Sequence, residues 1–186
     1  MSETNKIINV DYSSGRVQLK TPRLYIPFGV SVFESPSGTK YNIDLSIRGI
    51  DDPLIREFYN KIIDIDEKIV ENAIRHKSTW FNEYIPDNEI RGMYDKSIKQ
   101  NEPYAPQIRV RFSSYSNELT TDFKDDNGDS AYFSRLEQKQ FKTCSAISYI
   151  ELVSVIVNGD RFKPNWKFNE IQVFPAQRLR GYRFVD

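Results

Sequence analysis

The sequence predicts a mainly β protein of the α+β kind: a small β-barrel interrupted by an α-helical insertion. Three observations predict it. Apolar residues alternate at period two before residue 50, recur at helical spacing between 51 and 102, and return to strand-like runs from 103 to 175. At 186 residues the chain fits one domain, 1–186, with an ordinary core and one sizeable insertion. Its parts are barrel strands at 16–50 and 103–175, the insertion at 51–102 and a C-terminal tail at 176–186. No internal repeat or low-complexity tract interrupts this order.

The first strand is expected at Arg16-Val17-Gln18-Leu19-Lys20, which alternates, and a second from Leu24 to Phe33, which is aromatic and β-branched. Ser35-Pro36-Ser37-Gly38 supplies a turn into a third strand, Lys40 to Arg48. There Tyr41, Ile43, Leu45 and Ile47 fall on one face, and Lys40, Asn42, Asp44, Ser46 and Arg48 on the other. One face is core and the other is wet.

Asp51-Asp52-Pro53 offers a cap and a first-turn proline for a helix of roughly 20 residues carrying Leu54, Phe58, Ile62, Ile65 and Ile69. Glu57/Lys61 and Asp64/Lys68 are its expected i,i+4 pairs, and Asp64 and Asp66 read as solvated charges. Trp80-Phe81 follow as an anchor. A shorter helix after Pro86-Asp87-Asn88 would carry Ile90, Met93, Tyr94 and Ile98, closed by Asn101-Glu102-Pro103.

Strands resume at Gln107 to Phe112, with Ile108, Val110 and Phe112 inward and Gln107, Arg109 and Arg111 outward. Asp122 to Asp129 reads as an exposed turn or loop around Asn127-Gly128. The apolar run Ala146 to Val157 ends at Asn158-Gly159, a hairpin signal, and the chain returns as Phe162 to Phe174.

Composition removes most catalytic chemistries. Cys144 and His76 are each the only residue of their type, so Cys/His zinc sites, Ser-His-Asp triads and internal disulfides lack their parts. Cys144 reads as a small buried hydrophobe. Phosphate-loop, dinucleotide-binding, zinc-protease and nucleophile-elbow motifs are missing from the sequence. The carboxylates of 122–129 lack the calcium-loop pattern, so a metal-dependent nuclease there is a distant third reading. The N-terminal MSETNKIINVDYSS reads as neither a signal nor a transit peptide, and no apolar run approaches a membrane span, which sets the expectation of a soluble intracellular protein.

The formal charge is zero, but residues 51–102 hold 12 Asp/Glu against 8 Lys/Arg, leaving the flanks with 14 against 18. The flanking strands can therefore share a cationic face. Their outward positions combine cations with aromatics, the mixture that binding of unpaired nucleic acid requires: cations neutralise phosphates and rings stack on bases. The candidates are Lys20, Arg23, Tyr25, Lys40, Tyr41, Arg48, Arg109, Arg111, Tyr115, Arg161, Lys163, Trp166 and Lys167. Phe28, Phe33, Phe112, Phe168 and Phe174 read instead as barrel filling.

Ile26-Pro27-Phe28-Gly29-Val30-Ser31-Val32-Phe33 followed by Lys40 to Gly49 resembles the opening of a family from nucleocytoplasmic large DNA viruses. Phe58-Tyr59, Asp66-Glu67, Trp80-Phe81, the basic strand after Pro103-Tyr104-Ala105-Pro106, and Val157-Asn158-Gly159 with Trp166-Lys167 follow in the same order, over most of 16–175. The family is that of the oligonucleotide-binding (OB) fold single-stranded DNA-binding proteins, with a member in African swine fever virus. The resemblance implies a five-stranded Greek-key barrel, coating of unpaired DNA during viral replication or repair, and no cofactor. It also implies single-stranded DNA, further copies of the chain and viral replication proteins as partners, and a place in the host cytoplasm (viral factory) or nucleus. By position it points to Lys40, Tyr41, Arg48, Arg109, Arg111, Lys163, Trp166 and Lys167. The segment after Val173, with Gln177-Arg178-Leu179-Arg180-Gly181-Tyr182-Arg183, departs from a strongly charged tail. The rival reading is a structural or protein-interaction module of a virus particle, for which the zero net charge speaks.

Overall fold

The alternation of residues 16–48 is realised as paired strands. A computed structural model of the chain describes residues 6–10, 15–36, 38–81, 85–100, 102–115 and 118–176. The first strands are β1 (Lys6–Asn9), β2 (Val17–Lys20), β3 (Leu24–Tyr25), β4 (Val30–Ser35) and β5 (Gly38–Ser46). Helices α1 (Pro53–Arg75), α2 (Lys77–Phe81) and α3 (Asp87–Met93) follow. The remaining strands are β6 (Ile98–Lys99), β7 (Gln107–Arg111), β8 (Ser114–Tyr115), β9 (Glu118–Leu119), β10 (Asp122–Lys124), β11 (Ser130–Ala131), β12 (Ser145–Asn158) and β13 (Arg161–Phe174). The expected tail beyond residue 176 lies outside the described residues.

The barrel closes through five partners. Strand β12 pairs with β3, β3 with β5, β5 with β7, β7 with β13, and β13 returns to β12. Only β7–β13 runs parallel in this circuit. Strands β2 and β3 both lie on β12 and act as one strand broken at Thr21, whose hydroxyl accepts from the Ser148 N–H at 2.9 Å. In chain order the five are β2/β3, β5, β7, β12 and β13, and around the barrel they run first, second, third, fifth, fourth. This is an OB-like barrel, a fold whose second and third strands and adjoining loops present the oligonucleotide-binding face.

The core is what the alternation predicts. Ile43 and Leu45 of β5 and Ile108 and Val110 of β7 are buried, as are Ile47 and Phe112 just past their ends, and Phe162, Phe168 and Ile171 of β13. Each fully buried aliphatic or aromatic chain contributes about 1.5–3 kcal/mol of transfer free energy. The hairpin β12–β13 turns at Gly159, in the left-handed region at φ 56°, with Asn158 opposite Arg161.

Helix α1 starts as expected: the Asp52 carboxylate accepts from the Leu54 N–H at 2.8 Å, and Pro53 opens the first turn. Phe58, Ile62, Ile69, Val70 and Ala73 form its buried stripe, whereas Leu54 is exposed. The Glu57–Lys61 pair forms. An Asp64–Lys68 pair is not among those of the described residues. Trp80, Phe81 and Tyr94 pack around Phe162, at ring separations of 6.1, 5.5 and 5.0 Å, and seat the helices on the start of β13. No helix among the described residues is long and apolar enough to cross a membrane.

Six expectations need correction. The strand expected from Leu24 to Phe33 is broken at Pro27–Gly29, because Gly29 (φ 75°) lies so close to the Lys139 carbonyl that a Cβ there would sit 2.4 Å from its oxygen. Helix α3 ends at Met93: Tyr94 is extended and bridges Phe162, and Ile98 belongs to β6. The segment 122–129 is not all loop. Phe123 is buried against Phe112, which makes Asp122–Lys124 a strand beside β13. Asp66 is buried rather than solvated, and Cys144 is half-buried at the core's edge. Phe28 and Phe33 are exposed rather than filling the barrel, at 38% and 60%.

Candidate nucleic-acid interface

The outward face of β5 carries Lys40, Asn42 and Asp44, and the register of β7 sets Arg111 opposite Asn42 and Arg109 opposite Asp44. Direct cross-strand neighbours project from the same side of a sheet. These side chains, with Lys163 of β13 and Lys96 and Lys99 around β6, line a cleft of about 970 Å³. Six cations and two carboxylates, Asp44 and Asp95, line it, a local balance of +4 in a chain whose net charge is zero.

The cations are not equivalent. Arg109 is held by Asp44 through two parallel hydrogen bonds of 2.8 and 2.9 Å, and the paired carboxylate raises the guanidinium pKa. Among the described residues Arg111 donates only to the neutral Asn165 side chain, at 2.7 Å. It is half-buried, and burial pushes its pKa down from the ordinary value because no opposite charge compensates. Lys40, Lys96, Lys99, Arg111 and Lys163 make no ion pair among the described residues. A desolvated guanidinium with no carboxylate is a strong site for an incoming phosphate.

Two exposed aromatics lie near the cleft. Phe33 of β4 is the register partner of Lys40, so its exposed ring shares that face. Tyr115, 78% exposed, follows Ser114 of the cleft lining on β8, and because successive strand residues face opposite sides its ring lies beyond the cleft's edge and not in its lining. Trp166 was expected as a stacking platform, but it is 3% exposed and its indole N–H donates to the Ser97 hydroxyl at 2.9 Å. That hydroxyl donates in turn to Asp66 at 2.5 Å, and Asp66 also accepts from the Ser97 N–H at 2.9 Å and the Tyr94 hydroxyl at 2.7 Å. Burial raises the Asp66 pKa, with the Ser97 and Tyr94 hydrogen bonds opposing it. Trp166 thus forms part of the cleft floor, locked from behind by a buried polar chain. Tyr41, also expected to bind, is buried.

Other candidates are held by carboxylates or fall elsewhere. Arg161 is paired with Asp95, which holds that carboxyl below the usual range. Lys167 lies 4.0 Å from the buried Glu151; burial pushes that carboxyl up, but the hydrogen bonds from Asn169 and Gln18 and the charges of Lys167 and Arg16 together lower its pKa. Lys20 sits over the Tyr149 ring on β12 and is not brought to the cleft. Arg23, Tyr25 and Arg48 line a second pocket of about 470 Å³. The Asp125 carboxylate, once considered for a metal, accepts from the N–H groups of Asn127 and Asp129, both at 2.9 Å, and closes its own turn.

Sequence reasoning missed Phe33, Lys96 and Lys99. The signal for Phe33 was present: Val30 and Val32 share the inward parity, which leaves Phe33 on the other face. Lys96 and Lys99 were assigned to an acidic helical insertion, and only the fold shows that its last residues return to the barrel as β6. Trp166 shares parity with Phe162 and Phe168, so its burial was also legible.

The same fold occurs in bacteriophage proteins. The single-stranded DNA-binding protein gp2.5 of bacteriophage T7 superposes with a TM-score of 0.60 at 8% identity, over 91% of this chain and 97% of that one. The single-stranded DNA-binding protein of bacteriophage Enc34 in complex with ssDNA gives 0.52 at 15% identity, over 95% and 99%. Its C-terminal truncation gives 0.51 at 14%, over 93% and 97%. At these identities the likeness is one of fold, and function has to be argued from the site. No curated protein matches the sequence. One family model, described as "Family of unknown function (DUF5871)", matches residues 53–186, from the first turn of α1 through β13 and beyond. With more than half of its length matched, the chain belongs to the family of unknown function DUF5871.

Proposed function

We propose that this chain is a non-catalytic single-stranded DNA-binding protein that coats and protects unpaired DNA with little sequence preference. The observation that carries the reading is the cleft on β5 and β7: a +4 lining around a half-buried Arg111 with no ion pair among the described residues, and exposed Phe33 on the Lys40 face. Phosphates would take Lys40, Lys96, Lys99, Arg111 and Lys163, and unpaired bases would stack on Phe33 and Tyr115. The phage proteins of this fold, which are named for single-stranded DNA binding, support the reading. We further propose service in replication or repair of a large DNA virus, with further copies of the chain and replication proteins as partners, in the viral factory or nucleus. The sequence resemblance to the large-DNA-virus family motivates that part.

Fluorescence anisotropy of labelled single-stranded and duplex oligonucleotides at graded salt tests it. Wild type should prefer the single strand, with log affinity falling by roughly 0.7 per neutralised phosphate for each decade of salt. Arg111→Ala should lose ~1.5–3 kcal/mol, the worth of a charge-assisted contact, and flatten the slope by about 0.7. Absence of single-strand binding at low salt would sink the proposal and promote the protein-interaction reading.

A further inference from the structure

The second pocket lies on the same outward face of β5 as the cleft. Lys40, Asn42 and Asp44 line the cleft, whereas Ser46, buried at the end of β5, and Arg48, two residues beyond it, line the pocket. Ser46 is also the register partner of both Gln107, a cleft residue, and Tyr25, a pocket residue. At ~3.3 Å per residue the step from Asp44 to Ser46 is about 7 Å, and the strand from Lys40 to Ser46 spans about 20 Å, with Arg48 two residues further on.

Two arginines stand in this pocket, each laid on an aromatic ring. The Arg48 guanidinium is 3.8 Å from the centre of Tyr25, and that of Arg23 is 4.1 Å from the centre of Phe174. Arg23 also donates to the Ser145 hydroxyl at 2.8 Å. Neither makes an ion pair among the described residues, and no carboxylate is among the pocket's described lining. Stacking on a ring orients the planar guanidinium while leaving its N–H edge free, the geometry that receives a phosphate through two hydrogen bonds. Each guanidinium occupies one face of its ring, and both rings are half-buried, which leaves little of either for a base. The pocket is suited to backbone phosphate and not to base stacking.

We propose that Arg23 and Arg48 form a second phosphate subsite for the single strand that occupies the cleft, reached along the outward face of β5. This rests on the single-stranded DNA reading above. It follows that affinity grows with strand length until the strand reaches from Lys40 to Arg48, within the ~4–16 nucleotides that one OB barrel covers.

The test is anisotropy with thymidine oligonucleotides graded from about 4 to about 20 nucleotides, on wild type, Arg111→Ala, Arg48→Lys and the double variant Arg23→Ala/Arg48→Ala, each first checked for an unchanged unfolding midpoint. The double variant should match wild type on the shortest strands, lose about tenfold on the longest, and show a salt slope lower by about 0.7 there. Arg48→Lys, which keeps the charge but not the planar fork, should lose part of the same length-dependent gain and provides the test if the double variant is unstable. Wild-type affinity of both variants at every length, or an equal loss at every length, would overturn the subsite. If Arg111→Ala also leaves binding unchanged at all lengths, the cleft reading itself fails, which is a separate result.

Discussion

Removing the Asp66 carboxylate should be among the most damaging single changes to this fold. Its two oxygens accept three hydrogen bonds, from the Tyr94 hydroxyl, the Ser97 hydroxyl and the Ser97 N–H, and the residue is 5% exposed. Asp66→Ala leaves three buried donors without acceptors, each worth about 1–3 kcal/mol. Because the two hydroxyls can rotate toward other acceptors, we expect a total of ~3–5 kcal/mol, within the range reserved for broken buried networks. Asp66→Asn keeps one acceptor oxygen but turns an amide N–H₂ toward a donor, for a cost of about 1–3 kcal/mol.

The pH dependence separates this account from a simple packing loss. Burial holds the Asp66 pKa above its ordinary value, so the folded state binds more protons than the unfolded state between the two values. Its contribution to stability is fully present below the unfolded pKa of roughly 3.9 and is lost as pH rises through the folded value. Denaturant unfolding of wild type and Asp66→Asn across mildly acidic to neutral pH gives the difference, in which Asp95 and Glu151, both with lowered pKa, cancel. Relative to the variant, wild type should lose stability as pH rises. A cost for Asp66→Ala below about 1 kcal/mol, or a difference that grows in favour of wild type with pH, would refute the reasoning.

Phe33→Ala should cost ~1–3 kcal/mol of single-strand affinity while leaving the unfolding midpoint unchanged, since the ring is exposed; an unaltered dissociation constant would remove Phe33 from the binding face. Trp166→Ala should cost about 3–5 kcal/mol of stability, as for a large core aromatic, and show up in thermal unfolding before it shows in DNA binding. Asp44→Asn releases Arg109 from its bidentate partner, so single-strand affinity should rise at low salt and the salt slope should steepen by about 0.7. A weaker-binding Asp44→Asn protein would mean that the pair positions Arg109 for DNA instead of withholding it.

Local pattern carried much of this protein. The inward parity of Tyr41, Ile43, Leu45 and Ile47, the Asp52-Pro53 start of α1 and the Asn158-Gly159 hairpin are decided by interactions within a few residues, and each is realised. Parity even contained the burial of Trp166 and the exposure of Phe33, had residue size not been weighed above it. An aromatic on the outward parity is exposed however bulky it is, because the pleat and not the side chain chooses the face.

The rest depends on what strands from distant parts of the sequence bring together. Arg109 and Arg111 are alike in sequence, but Asp44 neutralises one and Asn165 leaves the other charged and desolvated. The turn of Lys96 and Lys99 into the cleft, the burial of Asp66 and the stacking of Arg48 on Tyr25 likewise need partners from other elements. Residue type and spacing settled which faces point into the barrel, although Ser46 and Gln107 on the opposite faces are also buried. Which cations are free and which rings are uncovered was decided only by tertiary structure, because Coulomb and desolvation energies depend on separations in space that sequence distance does not encode.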